Sequence, residues 1–178
     1  MRLIRWLLAV VLLLGVVFLG GAFLLPSTTV VERSRTVALS PSDSFALLDS
    51  FEHFTAWSPW TAFDPQARYV RSGPASGVGA RLAWSGNQAL GSGSQEIVAH
   101  DRAAGTIDVA LDFGGHPART RYLIAPAADG SLLTWRLEMD HGYDPFARWV
   151  GLLMDRMMGP DLERGLAMID QVEPSPAR

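Results

Sequence analysis

The run Asp140–Val172 constrains this chain most, because the segment before it, Val30–Met139, reads mostly as strands and turns. Strands need their apolar face covered, and this run is the main helix-forming segment available to do it. Asp144-Pro145 supplies an N-cap acceptor directly before a proline at the first helical position, where a missing N–H costs nothing. Phe146, Trp149, Val150, Leu153 and Met157 then recur at helical spacing. Beyond Gly159-Pro160 the apolar positions are Leu162, Leu166 and Ile169. At about 100° per residue, an unbroken helix would turn this second set to the side opposite the first. A residue before proline is also pushed out of the α region. The expectation is two helical pieces meeting at a kink or break near Gly159-Pro160. Leu152, Met154 and Met158 widen the apolar face of the first piece, as in a helix buried on two sides or one that closes a cavity with adaptable methionines.

Trp6–Leu25 is a second strong constraint, twenty residues without a charge, preceded by Arg2 and Arg5. At 1.5 Å per residue such a helix is about 30 Å long, the thickness of a bilayer core. The arginines favour an N-terminus in the cytoplasm and a domain on the extracytoplasmic side. A cleaved signal peptide is the competing reading, since Gly20 and Ala22 form a small-x-small pair. The expected division is an anchor or signal over residues 1–27, one domain over 28–173, and a flexible tail over 174–178.

Between these ends the chain reads as one strand (Val30–Leu39), two short helices (from Ser40-Pro41 and around Phe51–Trp57), then six strands. The six are Ala67–Arg71, Gly79–Ser85, Ser94–His100, Thr106–Phe113, Ala118–Ala125 and Leu132–Met139. Short turns such as Gly114-Gly115 and Asp129-Gly130 separate them, which implies an antiparallel meander. Ile107, Val109, Leu111 and Phe113 share one face, and so do Leu133, Trp135, Leu137 and Met139. Such alternation gives a sheet with one wet and one covered face. The fold class is therefore α+β, a curved antiparallel sheet of about seven strands on a C-terminal helix.

The order of elements, together with the phrases FEHFTAWSPW (Phe51–Trp60), SGPASGVG (Ser72–Gly79), Trp84-Ser85-Gly86, GSGSQE (Gly91–Glu96), LDFGGHP (Leu111–Pro117), Thr134-Trp135 and MDRMMGPDLERGL (Met154–Leu166), resembles the START-like or SRPBCC superfamily, in its polyketide cyclase/dehydrase-type branch. The resemblance covers about residues 28–172. It implies a helix-grip fold with an apolar cavity between sheet and helix. Members include lipid carriers, hormone receptors, aromatase/cyclases and ring-hydroxylating oxygenase domains. The oxygenase iron site has no evident counterpart here, and no catalytic motif transfers residue by residue.

Composition excludes several chemistries. There are no cysteines, so disulfides, thiolate nucleophiles and cysteine metal sites are out. All 15 basic residues are arginine, which removes Schiff-base and P-loop lysines. A net charge of −3, more negative once Arg2 and Arg5 are set aside, argues against nucleic acid. The four histidines, His53, His100, His116 and His141, show no metal-ligand spacing, and no cofactor is implied. The run Gly86–Ser92 lacks a lysine and reads as a hairpin. His116, between Gly114-Gly115 and Pro117, and Tyr122 on the next strand are the candidates for acid–base chemistry.

Five tryptophans lie outside the N-terminal segment, either as core or as the lining of a pocket for a flat or greasy molecule. The cavity is expected to draw on Trp60, Trp84, Leu111, Phe113, Tyr122, Trp135, Leu137 and Met139 from strands and loops, and on Phe146, Val150, Met154 and Met157 from the helix. The partners are then a hydrophobic small molecule or lipid and the membrane. A cyclase/dehydratase-type enzyme and a membrane-tethered interaction module are the alternatives.

Overall fold

The structure is a computed structural model that describes residues 2–172. The tail expected over 174–178 lies outside the described residues. A long N-terminal helix, α1 (Arg2–Leu24), leads into β1 (Thr28–Val37), two short helices α2 (Pro41–Leu48) and α3 (Phe54–Trp57), and a 3-10 turn (Pro59–Ala62). Six strands follow, β2 (Arg68–Ser72), β3 (Arg81–Ser85), β4 (Ser92–Asp101), β5 (Thr106–Asp112), β6 (Pro117–Ala127) and β7 (Gly130–Asp140), then α4 (Pro145–Ile169). The strands form one antiparallel sheet in the order β1-β7-β6-β5-β4-β3-β2. It is the expected seven-stranded helix-grip architecture.

Local chemistry sets the boundaries. The Ser40 hydroxyl accepts from the Asp43 N–H at the start of α2 and donates to the Asp43 carboxylate. Asp144 accepts from the N–H groups of Phe146 and Ala147 at 2.8 and 3.1 Å, and Pro145 occupies the first turn of α4. Pairing shifts between Ile97 and Ala99 at a bulge in β4, which leaves Val98 exposed and keeps Ile97 fully buried. One row of partners crosses five strands, from Thr29 through Met139, Ala118 and Leu111 to Gln95.

The expected break in the C-terminal helix is absent. α4 runs unbroken through Pro160. Gly159 has no Cβ, which removes part of the clash that proline imposes on its predecessor. The change of apolar face is nonetheless present. Leu162, Leu166 and Ile169 are buried against the sheet, while Phe146, Leu153 and Met157 are 68%, 53% and 58% exposed. The first half of α4 turns these last three outward and packs only Met154 and Met158 against the core. Its buried residues are Arg148, Gly151 and Gly159.

Those glycines seat α4 along the edge strand β1. A Cβ on Gly151 would stand 2.6 Å from Thr29 Oγ1, and one on Gly159 would overlap the Arg33 guanidinium. Eight helical residues and four strand residues each span about 12–13 Å, so the two notches match two inward positions of β1. Arg33 is then clamped at Gly159. Its Nε donates to Glu163 Oε1 at 2.6 Å, and Nη1 and Nη2 donate to Asp155 Oδ1 and Oδ2 at 2.8 and 3.1 Å.

Two outcomes follow from this seam. Gly151→Ala should destabilise the protein by about 1–3 kcal/mol, because its Cβ would meet Thr29 Oγ1 at 2.6 Å and the His141 ring at 2.9 Å, two side chains bonded to each other, and this outweighs the roughly 1 kcal/mol by which alanine favours a helix; thermal or urea unfolding in detergent checks it. Hydrogen bonds from Arg33 hold the Asp155 carboxyl below its ordinary value. A depressed carboxylate stabilises the fold above its unfolded-state value and loses that contribution as pH falls. The difference in melting temperature between the native protein and Asp155→Asn should be steady above about pH 5 and shrink below about pH 4.

Candidate ligand-binding site

The core beneath α4 is aromatic. Trp135 on β7 is the hub, with Trp57, Trp60 and Tyr122 at centroid distances of 5.6, 5.4 and 5.4 Å. Gly165 lets the helix reach this ring system, since a Cβ there would stand 2.6 Å from Trp135. Trp57 and Trp135 are 2% and 1% exposed, and both indole N–H groups lack a partner. This part of the grip is filled.

A small cavity of about 50 Å³ remains toward β2–β5. Trp60, Trp84, Phe113 and Leu111 line it, with Phe54, Tyr69, Leu90 and Gln95. Trp84 and Phe113 meet edge-on at 5.8 Å. Trp84 lies flat over its cross-strand partner Gly93, where any Cβ would overlap the indole. Leu90 reaches the cavity from the Gly86–Gly91 turn. Asn87 pins that turn by donating to Phe63 O at 2.9 Å and accepting from the N–H groups of Ala89 and Leu90.

Two polar groups converge on this apolar space. Gln95 is 5% exposed and its side-chain N–H₂ has no partner. The Tyr69 hydroxyl is also buried and unpartnered, and burial raises its pKa. A buried unpaired polar atom costs about 1–3 kcal/mol, so two at one cavity are an asymmetry that a ligand oxygen would relieve.

The structure thus brings together four of the residues singled out from the sequence, Trp60, Trp84, Leu111 and Phe113. Tyr122, Trp135 and Leu137 form the adjoining core, and Met139 sits half-buried at its rim. Of the helical residues, Met154 packs against the core and Val150 is half-buried. Phe146 and Met157 lie on the outer face of α4, away from the cavity. Gln95, Tyr69 and Leu90 were not singled out. Strand phase carried the signal for Gln95, since it shares the inward face with Ile97.

His116 and Tyr122 are not brought together. His116 is exposed in the β5–β6 turn, and Tyr122 lies inside, six residues and roughly 20 Å farther along. Burial raises the Tyr122 pKa, which holds it as a neutral phenol. Among the described residues no three His, Asp or Glu side chains gather into a metal site.

The sequence model of the family described as polyketide cyclase / dehydrase and lipid transport matches residues 28–172. The chain belongs to this family. No curated protein matches it in sequence. Among solved structures, norcoclaurine synthase from Thalictrum flavum, in complex with dopamine and hydroxybenzaldehyde, superposes with a TM-score of 0.59 at 17% identity, over 81% of this chain and 85% of that one. Major latex-like protein 151 from Panax ginseng gives 0.57 at 12% identity, over 82% and 97%. A protein from Rhodobacter sphaeroides gives 0.54 at 18%, over 80% and 91%. At these identities the likeness shows the fold that the family shares.

Gln95→Leu should leave thermal stability unchanged or raise it by about 1 kcal/mol in the ligand-free protein, since it replaces an unpaired buried amide by an apolar group of similar size. A clear loss of stability would show that Gln95 is a structural residue.

Proposed function

We propose that this protein is a membrane-anchored binder of a small, flat, apolar molecule carrying a hydrogen-bond acceptor. The observation that carries the reading is the aromatic cavity of Trp60, Trp84 and Phe113 with two unpartnered polar groups, Gln95 and Tyr69, at its wall. Removal of apolar area from water drives binding, at roughly 25 cal/mol per Å² before association costs. A ketone or ether oxygen then accepts from Gln95. At about 50 Å³ the cavity is far below the roughly 300 Å³ of ordinary ligand sites, so binding displaces Leu90 and the turn held by Asn87. The aromatic ligands of norcoclaurine synthase support the same grip holding oxygenated rings.

Binding is preferred to catalysis, because the acid and base that a cyclisation or dehydration requires do not converge on the cavity. The test is titration of a naphthyl ketone and its parent hydrocarbon into the full chain in detergent, followed by tryptophan fluorescence. Trp84→Ala should weaken both. Gln95→Leu should weaken the ketone about five- to tenfold and leave the hydrocarbon unchanged. Affinities that ignore both substitutions would sink the reading.

α1 serves as the anchor, retained in the mature protein, with Arg2 and Arg5 on the cytoplasmic side. It is 23 residues long and apolar enough to cross a bilayer. Its last turn also belongs to the packing of the domain. Arg148 is 9% exposed and donates to Ala22 O and Leu25 O, as well as to Gly142 O, with Phe23 under the guanidinium. Cleavage after Ala22 would discard part of that contact. Intact-mass measurement of protein from membranes should find the N-terminal segment present, and a chain starting at Phe23 would contradict the anchor.

A further inference from the structure

The first half of α4 carries an apolar stripe on its outer face. Phe146, Leu153 and Met157 are exposed at intervals that place them in one line with Trp149, and Leu152 flanks them at 56% exposure. The stripe stops where the helix passes Pro160. Beyond it the same face presents the exposed Arg164. The apolar half is the half that touches α1. Trp149 stacks on Phe18 at a centroid distance of 6.0 Å, and its indole N–H donates to Phe18 O at 3.1 Å. Gly21 makes room for it, since a Cβ there would stand 2.9 Å from the indole.

From this we infer that the outer stripe of α4 is a lipid-contacting surface, seated in the interface of the bilayer that α1 crosses. The inference rests on the reading of α1 as a membrane anchor. Phe18 lies about 9 Å along the helix axis from Leu24, which is the depth at which interfacial helices bury their apolar face, about 5–10 Å into the headgroup and acyl boundary. A tryptophan with one polar edge suits that level. Arg148 ties the last carbonyls of α1 to α4, so the stripe is held beside the span and the domain has one orientation toward the bilayer. A protein partner would account for an apolar patch in general. It would not account for a patch whose first turns, at Arg148 and Trp149, pack directly on α1.

The absence of cysteine makes single-site labelling direct. The full chain is reconstituted in phosphatidylcholine vesicles as three variants, Leu153→Cys on the stripe, Arg164→Cys on the polar half, and Leu12→Cys in the middle of α1. Each carries the same environment-sensitive fluorophore. Emission is quenched with nitroxide-bearing lipid or with aqueous iodide. The expected result is quenching of Leu153→Cys by the lipid probe and not by iodide, with Arg164→Cys showing the reverse. Quenching of Leu153→Cys by iodide while Leu12→Cys responds only to lipid overturns the inference and leaves the anchor standing. Protection of Leu153→Cys from both quenchers also overturns it, because the stripe is then covered by protein. Iodide access at Leu12→Cys removes the anchor and the inference together.

Discussion

Two glycines, spaced to match every fourth residue of the edge strand, determine where α4 can lie. Gly151 and Gly159 bring the helix axis close to β1, and the close approach fixes the helix in rotation. Once Gly151 faces Thr29 and Gly159 faces Arg33, Leu162, Leu166 and Ile169 can only point over the sheet. By the same rotation Phe146, Leu153 and Met157 can only point away from it. The Arg33 fork with Asp155 and Glu163 then locks the seam from outside. Its direct contribution is modest, because both carboxylates are largely exposed, at 63% and 62%. Its value is positional: it holds the second half of the helix over the Trp135 cluster, and it also covers the edge strand.

The sheet was legible because its signals are local. Alternation in Ile107–Phe113 and Leu133–Met139, with glycine turns between, leaves few alternatives, and the observed strands start and end within about two residues of those read from the pattern. The helix caps at Ser40 and Asp144 were legible for the same reason. The unbroken α4 was not. Periodicity reported the change of face correctly, but attributed it to a break, because a helix with large apolar residues on one side is assumed to bury that side. Here the buried residues of that half are Gly151, Gly159 and Arg148, which carry no hydrophobic signal, and only Met154 and Met158 of its apolar residues pack on the core beside them.

The cavity was half legible. Aromatic residues on the inward phase of strands announce themselves, and Trp60, Trp84 and Phe113 do meet. What gives the cavity chemical character is polar. Gln95 and Tyr69 stand out only once the cross-strand register puts them opposite Leu111 and Trp84. Polar residues in inward phase are ambiguous in sequence, since a hydrogen-bond partner on a neighbouring strand would make them ordinary core. The absence of such a partner is a three-dimensional fact.

The placement of that cavity bears on the proposed role of α1 as an anchor. The row from Thr29 to Gln95 crosses four strand-to-strand steps, about 19 Å along the sheet. Thr29 is five residues past the end of α1, and its hydroxyl is 2.8 Å from His141 Nε2 just ahead of α4. The cavity, the end of α1 and the apolar half of α4 therefore share one end of the strands. A long flexible linker would let the domain tumble and spread the distance between cavity and bilayer over many values. Only Leu25, Pro26 and Ser27 separate α1 from β1, and Arg148 bonds to the first of these. For a molecule that partitions into lipid, the local concentration is set by the bilayer and not by bulk water. Under the proposed anchoring, a cavity held at a fixed distance from that reservoir can function with modest intrinsic affinity, which suits one that is small and furnished with only two polar groups.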